Sequence, residues 1–168
     1  GLRWLGWGLL ATGVGLSLVA ATHRQPINSD EANVVDRALR LFADGPNPRW
    51  FVYPSLQLYA VAAAEGFLFA VRRVLGLSPT PEAFAAWYFT DPRFVLVAAR
   101  AWSLAAGFAT LWVVFRLAAR LASPWAGVWA AAFLAVSPLH IYYSALAKPD
   151  AAMVLAMHAA GLLAARYV

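Results

Sequence analysis

Eight of the 168 residues are acidic, and two of them, Asp30 and Glu31, stand side by side shortly after an uncharged run from Trp4 to Thr22. Carboxylates held where a membrane span leaves the bilayer can meet a lipid headgroup. A third acid, Asp150, belongs to Lys148-Pro149-Asp150, which interrupts an otherwise uncharged stretch from Leu121 to Ala165. Ionisable groups at membrane depth are expensive to keep and are usually there for function. Other chemistries are excluded or weakly represented. Cysteine is absent, so disulfides, thiolate metal sites and cysteine nucleophiles do not arise. The histidines His23, His140 and His158 share no helical spacing, which favours packed or interfacial roles over a metal cluster. No P-loop or dinucleotide fingerprint is present.

Each acid also has an ordinary structural explanation. Asn28 or Ser29 is a natural helix N-cap, and Val35, Ala38, Leu39 and Phe42 follow at helical spacing until Gly45-Pro46. Asp30 and Glu31 then occupy a first helical turn, where free N–H groups and the helix dipole favour carboxylates whether or not they react. Pro149 likewise can start a helix with Asp150 in its first turn and Lys148 snorkelling. On local grounds the structural and functional readings of Asp150 are balanced.

The elements that must position these residues follow from composition. With 62% hydrophobic and 12% charged residues, the chain has about half the charge of a soluble domain, roughly 25%. An integral membrane protein is expected, all-α and polytopic. The net charge of +5 is better suited to membrane orientation and anionic lipid than to nucleic acid. A span needs about 20 mostly apolar residues, and the gaps between charges give about four: 4–22, 100–121, 125–143 and 150–168. The fourth reads as cut short. A chain that starts at Gly1 and stops at Val168 inside an apolar run reads as part of something longer. Glycines 6, 8, 13 and 15 suggest close packing of the first span on a neighbour. Tyr53, Tyr59, Trp87, Tyr88, Tyr142 and Tyr143 fall where an aromatic belt would lie.

Basic residues near span ends set the orientation. Arg3, and Arg116 with Arg120, all belong in the cytoplasm, which requires a single crossing before residue 24 and the next between 100 and 121. Residues 24–97 are then external, with interfacial helices over 30–44 and 54–74. Glu65 and Arg72-Arg73 suit an interfacial helix better than a buried one, although a full span over 54–74, with the arginines at its cytoplasmic end, is the alternative. The external segment holds seven of the eight acids, and three crossings bring Asp150 to the same face as Asp30 and Glu31.

Taken in order, Asp30-Glu31, an Ala-x-x-x-x-x-Ala-Leu-Arg run leading to Gly45, Tyr53-Pro54-Ser55-Leu56, Ala99-Arg100-Ala101-Trp102-Ser103-Leu104, Arg116 to Leu121, Ser137 to Ser144 and Lys148-Pro149-Asp150 resemble the polyprenyl-phosphate-sugar glycosyltransferases of the GT-C class. The similarity is to the protein O-mannosyltransferase and aminoarabinose transferase branch, and it runs over nearly the whole chain. It implies a multi-pass enzyme of the cell (inner) membrane with an extracytoplasmic active face. Such an enzyme takes a sugar from a polyprenyl-phosphate donor and moves it, with inversion, to a protein or glycolipid acceptor. The resemblance makes Asp30 the general base and Glu31 its catalytic partner, and it makes Arg100 a contact of the lipid phosphate. Asp150 matches a second acidic position that binds a divalent metal, with Glu31 as the other candidate ligand, or else orients the acceptor. Lys148 is added as a second phosphate contact from its position alone.

Members of the family continue through many more spans, so the resemblance assigns residues 1–168 to the N-terminal part of the module and implies that this part is inactive alone. Two other hypotheses remain open from the residues themselves. One is a non-catalytic membrane assembly subunit; the other is a transporter fragment that uses Asp150 and Arg100 on a charged substrate.

Overall fold

The computed structural model describes residues 2–23, 26, 28–165 and 167, and the side chains of all of these except Leu2 and Arg3. Arg24 and Arg166, expected to flank the first and fourth spans, and the Arg3 side chain lie outside the described residues. Those residues form eight helices and no strand: α1 (Leu2–Ala21), α2 (Ser29–Asp44), α3 (Ser55–Val74), α4 (Pro81–Thr90), α5 (Arg93–Leu121), α6 (Pro124–Ala135), α7 (Pro138–Ser144) and α8 (Asp150–Ala164). The protein is an all-α membrane protein.

The helices start and stop for identifiable reasons. The Asn28 side chain accepts hydrogen bonds from the N–H groups of Asp30 and Glu31 at the start of α2, which ends at Gly45 with φ 92°, a backbone region that glycine enters at no steric cost. Thr80 and Ser123 cap α4 and α6, each followed by a proline in the first turn, where its missing N–H costs nothing.

Of the four expected spans, two are helices long and apolar enough to cross a membrane: Trp4–Ala21, within α1, and α5. The expected third span, 125–143, is two helices, α6 and α7, bent by 69° at the break between them. Pro138 accounts for the break: it disfavours a helical Ser137 and cannot donate to the helical ladder. The expected fourth, 150–168, is realised as the 15-residue α8, shorter than the roughly 20 residues a perpendicular crossing needs. The expected second span begins earlier than Arg100. Helix α5 starts at Arg93 and runs for 29 residues, about 43 Å against a hydrocarbon core of about 30 Å. The stretch expected as an interfacial helix over 54–74 is α3, 20 residues long and carrying Glu65, Arg72 and Arg73, and it is not among the helices apolar enough to cross a membrane.

The chain divides into two compact units. One comprises residues 1–21, 103–146 and 150–168, and the other residues 22–102 and 147–149. In the first, α1 packs on α6 and α7. Gly13 lies directly against the Ala135 backbone and Gly6 against Val128, whereas Gly8 and Gly15 face open space. The close-packed face of α1 therefore uses glycines seven residues apart, two turns of helix. Any side chain at Gly13 would collide with main chain.

The second unit carries most of the acids and has its own core. Val34, Val35 and Ala38 of α2, Leu58, Val61 and Ala62 of α3, Phe84 of α4, and Val95, Leu96 and Ala99 of α5 form one buried cluster together with Ala147. The spacing of the α2 and α3 members is that of a single helix face. Helix α4, absent from the sequence expectation, contributes Phe84, which sits edge-on to Phe69 at 5.4 Å.

Candidate functional site

The first turn of α2 is the centre of a polar cluster that lies wholly in the second unit. Capping by Asn28, with Oδ1 at 2.7 Å from the Asp30 N–H and 3.2 Å from that of Glu31, fixes the backbone, and the two adjacent carboxylates then diverge. Glu31 turns into the core and is fully buried, while the Asp30 side chain stays 47% exposed.

Glu31 is met by Arg100, which is also fully buried. The guanidinium donates from Nε to Glu31 Oε1 at 2.7 Å and from Nη2 to Oε2 at 2.8 Å, while Nη1 donates to the His23 carbonyl at 2.7 Å. This is the bidentate fork that suits a planar guanidinium to a carboxylate. Glu31 Oε1 also accepts the Ala147 N–H at 3.0 Å. One carboxylate thus ties the start of α2 to α5 and to the turn that carries Lys148. Buried charge is tolerated here because both carboxylate oxygens are satisfied.

That fastening places Lys148 beside Asp30. Lys148 Nζ donates to Asp30 Oδ2 at 3.1 Å, and the Tyr53 hydroxyl donates to the same oxygen at 3.0 Å. The ammonium also lies 5.5 Å from the Tyr53 ring centroid, within cation–π range. The Lys148 hydrogen bond, followed by that of Tyr53, holds the Asp30 carboxyl below its ordinary range. Partial burial would lower the Lys148 ammonium, but its hydrogen bonds with Asp30 and Tyr53 outweigh that and raise it. Both groups are charged at neutral pH. The outcome is a half-exposed carboxylate with both of these donors on one oxygen, Oδ2.

Four of the five residues singled out in the sequence, Asp30, Glu31, Arg100 and Lys148, belong to this cluster. Asp150 opens α8 in the other unit, where its Oδ2 is buried without a hydrogen-bond partner. Tyr53, which by sequence falls in an aromatic belt, joins the cluster through its hydroxyl. Its place in the Tyr53-Pro54-Ser55-Leu56 block was the one sequence signal of a further role. Both Glu31 oxygens are committed to Arg100, and among the described residues no three His, Asp or Glu side chains converge.

Comparison with curated proteins gave no match, and neither did comparison with solved structures. A family model described as dolichyl-phosphate-mannose-protein mannosyltransferase matches residues 78–168, just over half of the chain, including Arg100, Lys148 and Asp150. The chain therefore belongs to the dolichyl-phosphate-mannose-protein mannosyltransferase family, a group of membrane glycosyltransferases of the GT-C type.

Proposed function

We propose that this protein contributes the reaction centre of an inverting glycosyltransferase, in which Asp30 deprotonates an acceptor as it attacks a sugar carried on a polyprenyl phosphate at the outer face of the cell membrane. The observation that carries the proposal is the Asp30–Lys148 pair: a half-exposed carboxylate with a cation on one of its oxygens. In the proposed step the acceptor hydroxyl oxygen, on a protein or glycolipid, bonds to the anomeric carbon. Its proton passes to Asp30, and the bond from that carbon to the lipid-phosphate oxygen breaks with its electron pair. Attack opposite the leaving group inverts the centre. The departing phosphate is an anion, so it calls for a cation rather than an acid.

Lys148 serves that need. Its ammonium has three donors and can turn one toward a phosphate while keeping Asp30. Once shared with phosphate, it stabilises the Asp30 anion less, and Asp30 becomes a stronger base when the donor is bound. In this proposal Arg100 and Glu31 are positioning residues: they hold the α2 start and the Lys148 turn in register and leave the phosphate to Lys148. No step is routed through a metal ion. Asp150 is assigned to acceptor orientation.

Asp30→Asn in the full protein, expressed in membranes and assayed with a polyprenyl-phosphate sugar, is expected to abolish transfer while insertion and folding are retained. A general base contributes about 10²- to 10⁴-fold, so transfer at the wild-type rate would overturn the assignment.

A further inference from the structure

The second unit has another carboxyl with a different history. Glu65 of α3 is fully buried, and neither of its oxygens has a hydrogen-bond partner among the described residues. It lies in the wall of a cleft of about 530 Å³ formed by α2, α3 and α4, within the usual range for small-molecule sites, roughly 300–1,000 Å³. Leu39, which lines it too, is nine residues beyond Asp30 on α2, roughly 14 Å along the axis. This is a separate place from the Asp30 cluster.

The chemistry of the lining is one-sided. Phe42, Phe69 and Phe84 present three phenyl rings, Glu82 supplies a second carboxyl, and no basic side chain shares the wall. Glu82 is held below its ordinary range by its backbone N–H and the Thr80 hydroxyl, so the rim is anionic at neutral pH. Asp36 adds negative charge from α2 while accepting the Tyr88 hydroxyl at 3.0 Å. Arg72, one of the basic residues on α3, is committed elsewhere: Nε donates to Ser78 Oγ at 3.0 Å, and the guanidinium stacks on Trp87 at 3.5 Å. A buried carboxyl without a partner is costly. Two carboxyls and three phenyl faces around an apolar slot suit a cation with a hydrocarbon tail.

We propose that the α2–α3–α4 cleft binds the ammonium head of an amphipathic amine, with Glu65 as its ion-pair partner and the phenyl rings enclosing the head and the first part of the tail. Single-chain amines and amine-headed lipids share this chemistry. Ala85, exposed on α4, lines the cleft, so Ala85→Phe fills it without disturbing the core.

The purified full chain in maltoside micelles, titrated with dodecylamine, lysophosphatidylethanolamine or dodecanol, supplies the test, with the thermal unfolding midpoint as the readout. Dodecylamine is expected to raise the midpoint of the wild type, and dodecanol at the same mole fraction to leave it unchanged. Glu65→Gln should respond with roughly tenfold weaker apparent affinity, the loss expected for one charge-assisted contact. Ala85→Phe should not respond, and it decides the matter even if Glu65→Gln fails to fold. A shift with lysophosphatidylethanolamine as well assigns the site to a lipid headgroup, and one with dodecylamine alone assigns it to a single-chain amine. Equal shifts with dodecanol and dodecylamine, or wild-type responses from both variants, would overturn the proposal.

Discussion

Glu31 and Glu65 are both fully buried in the same helical unit, and they have opposite surroundings. Glu31 has a guanidinium on both oxygens and a backbone N–H on one. Glu65 has no hydrogen-bond partner on either oxygen among the described residues, and burial, with Asp36 nearby, pushes its pKa up to about 9. Burial alone therefore says little about what a carboxyl does. A fully partnered buried acid is a fastener, and its exposed neighbour, Asp30, is the carboxylate we propose as the base. A buried acid without a partner keeps its proton at physiological pH, and in the proposal above it releases that proton to solvent as it pairs with a cation that the chain does not supply.

The contrast is most sharply broken by removing one member of the partnered pair. Arg100→Ala leaves Glu31 charged and uncompensated, and the expected loss is about 3–5 kcal/mol, read as a collapse of folded yield or of the unfolding midpoint in detergent. Glu31→Gln/Arg100→Met, which removes both charges and keeps an acceptor for the Ala147 N–H, is expected to recover most of that stability. If the double variant were as unstable as the single one, the fastener description would fail.

A smaller effect is expected at Glu65, and its sign is opposite to that of most carboxylates. The native state keeps the Glu65 proton up to about pH 9, whereas the unfolded chain releases it near 4.5. Its contribution to stability is therefore complete below pH 4.5 and declines as pH rises toward 9. The slope is about 1.4 kcal/mol per pH unit, or about 3 kcal/mol between pH 6 and pH 8. Glu65→Gln should flatten that decline, as measured by denaturant unfolding at several pH values. An identical slope in wild type and variant would mean that Glu65 is paired after all.

Tyr53→Phe is the mildest change. Without the hydroxyl, Asp30 loses one of the two hydrogen bonds that lower its pKa. The fall in activity at acid pH, where the base becomes protonated, should move to higher pH with only a severalfold change in rate at the optimum. An unmoved acid limb would separate Tyr53 from the base.

Much of the local structure was legible because it is written in short-range chemistry. Asn28 as a cap, the Val35-Ala38-Leu39-Phe42 face and the Gly45 stop together define α2, and the missing surface charge defines a membrane protein. The break between α6 and α7 was also present in Ser137-Pro138, but a span inferred from the absence of charge runs through it. Reading spans from gaps between charges also started α5 at Arg100, since an arginine was assumed to mark an end. That residue lies well inside the helix, tolerated there because Glu31, 69 residues away, neutralises it. Long-range pairs of this kind leave no trace in spacing, and the Tyr53–Asp30 contact is another. Glu65 by its charge suits an interfacial helix; what spacing cannot give is that it lines a cleft partly walled by α4, a helix the sequence does not announce.

The central claim is that Asp30 works and Glu31 holds, and one comparison tests it directly. Sugar transfer is measured per folded molecule in membranes for Asp30→Asn and for the Glu31→Gln/Arg100→Met double variant. The predicted result is loss of transfer, about 10²-fold or more, in Asp30→Asn, with the double variant impaired but active. An active Asp30→Asn beside an inactive, well-folded double variant would contradict the account and move the base to Glu31.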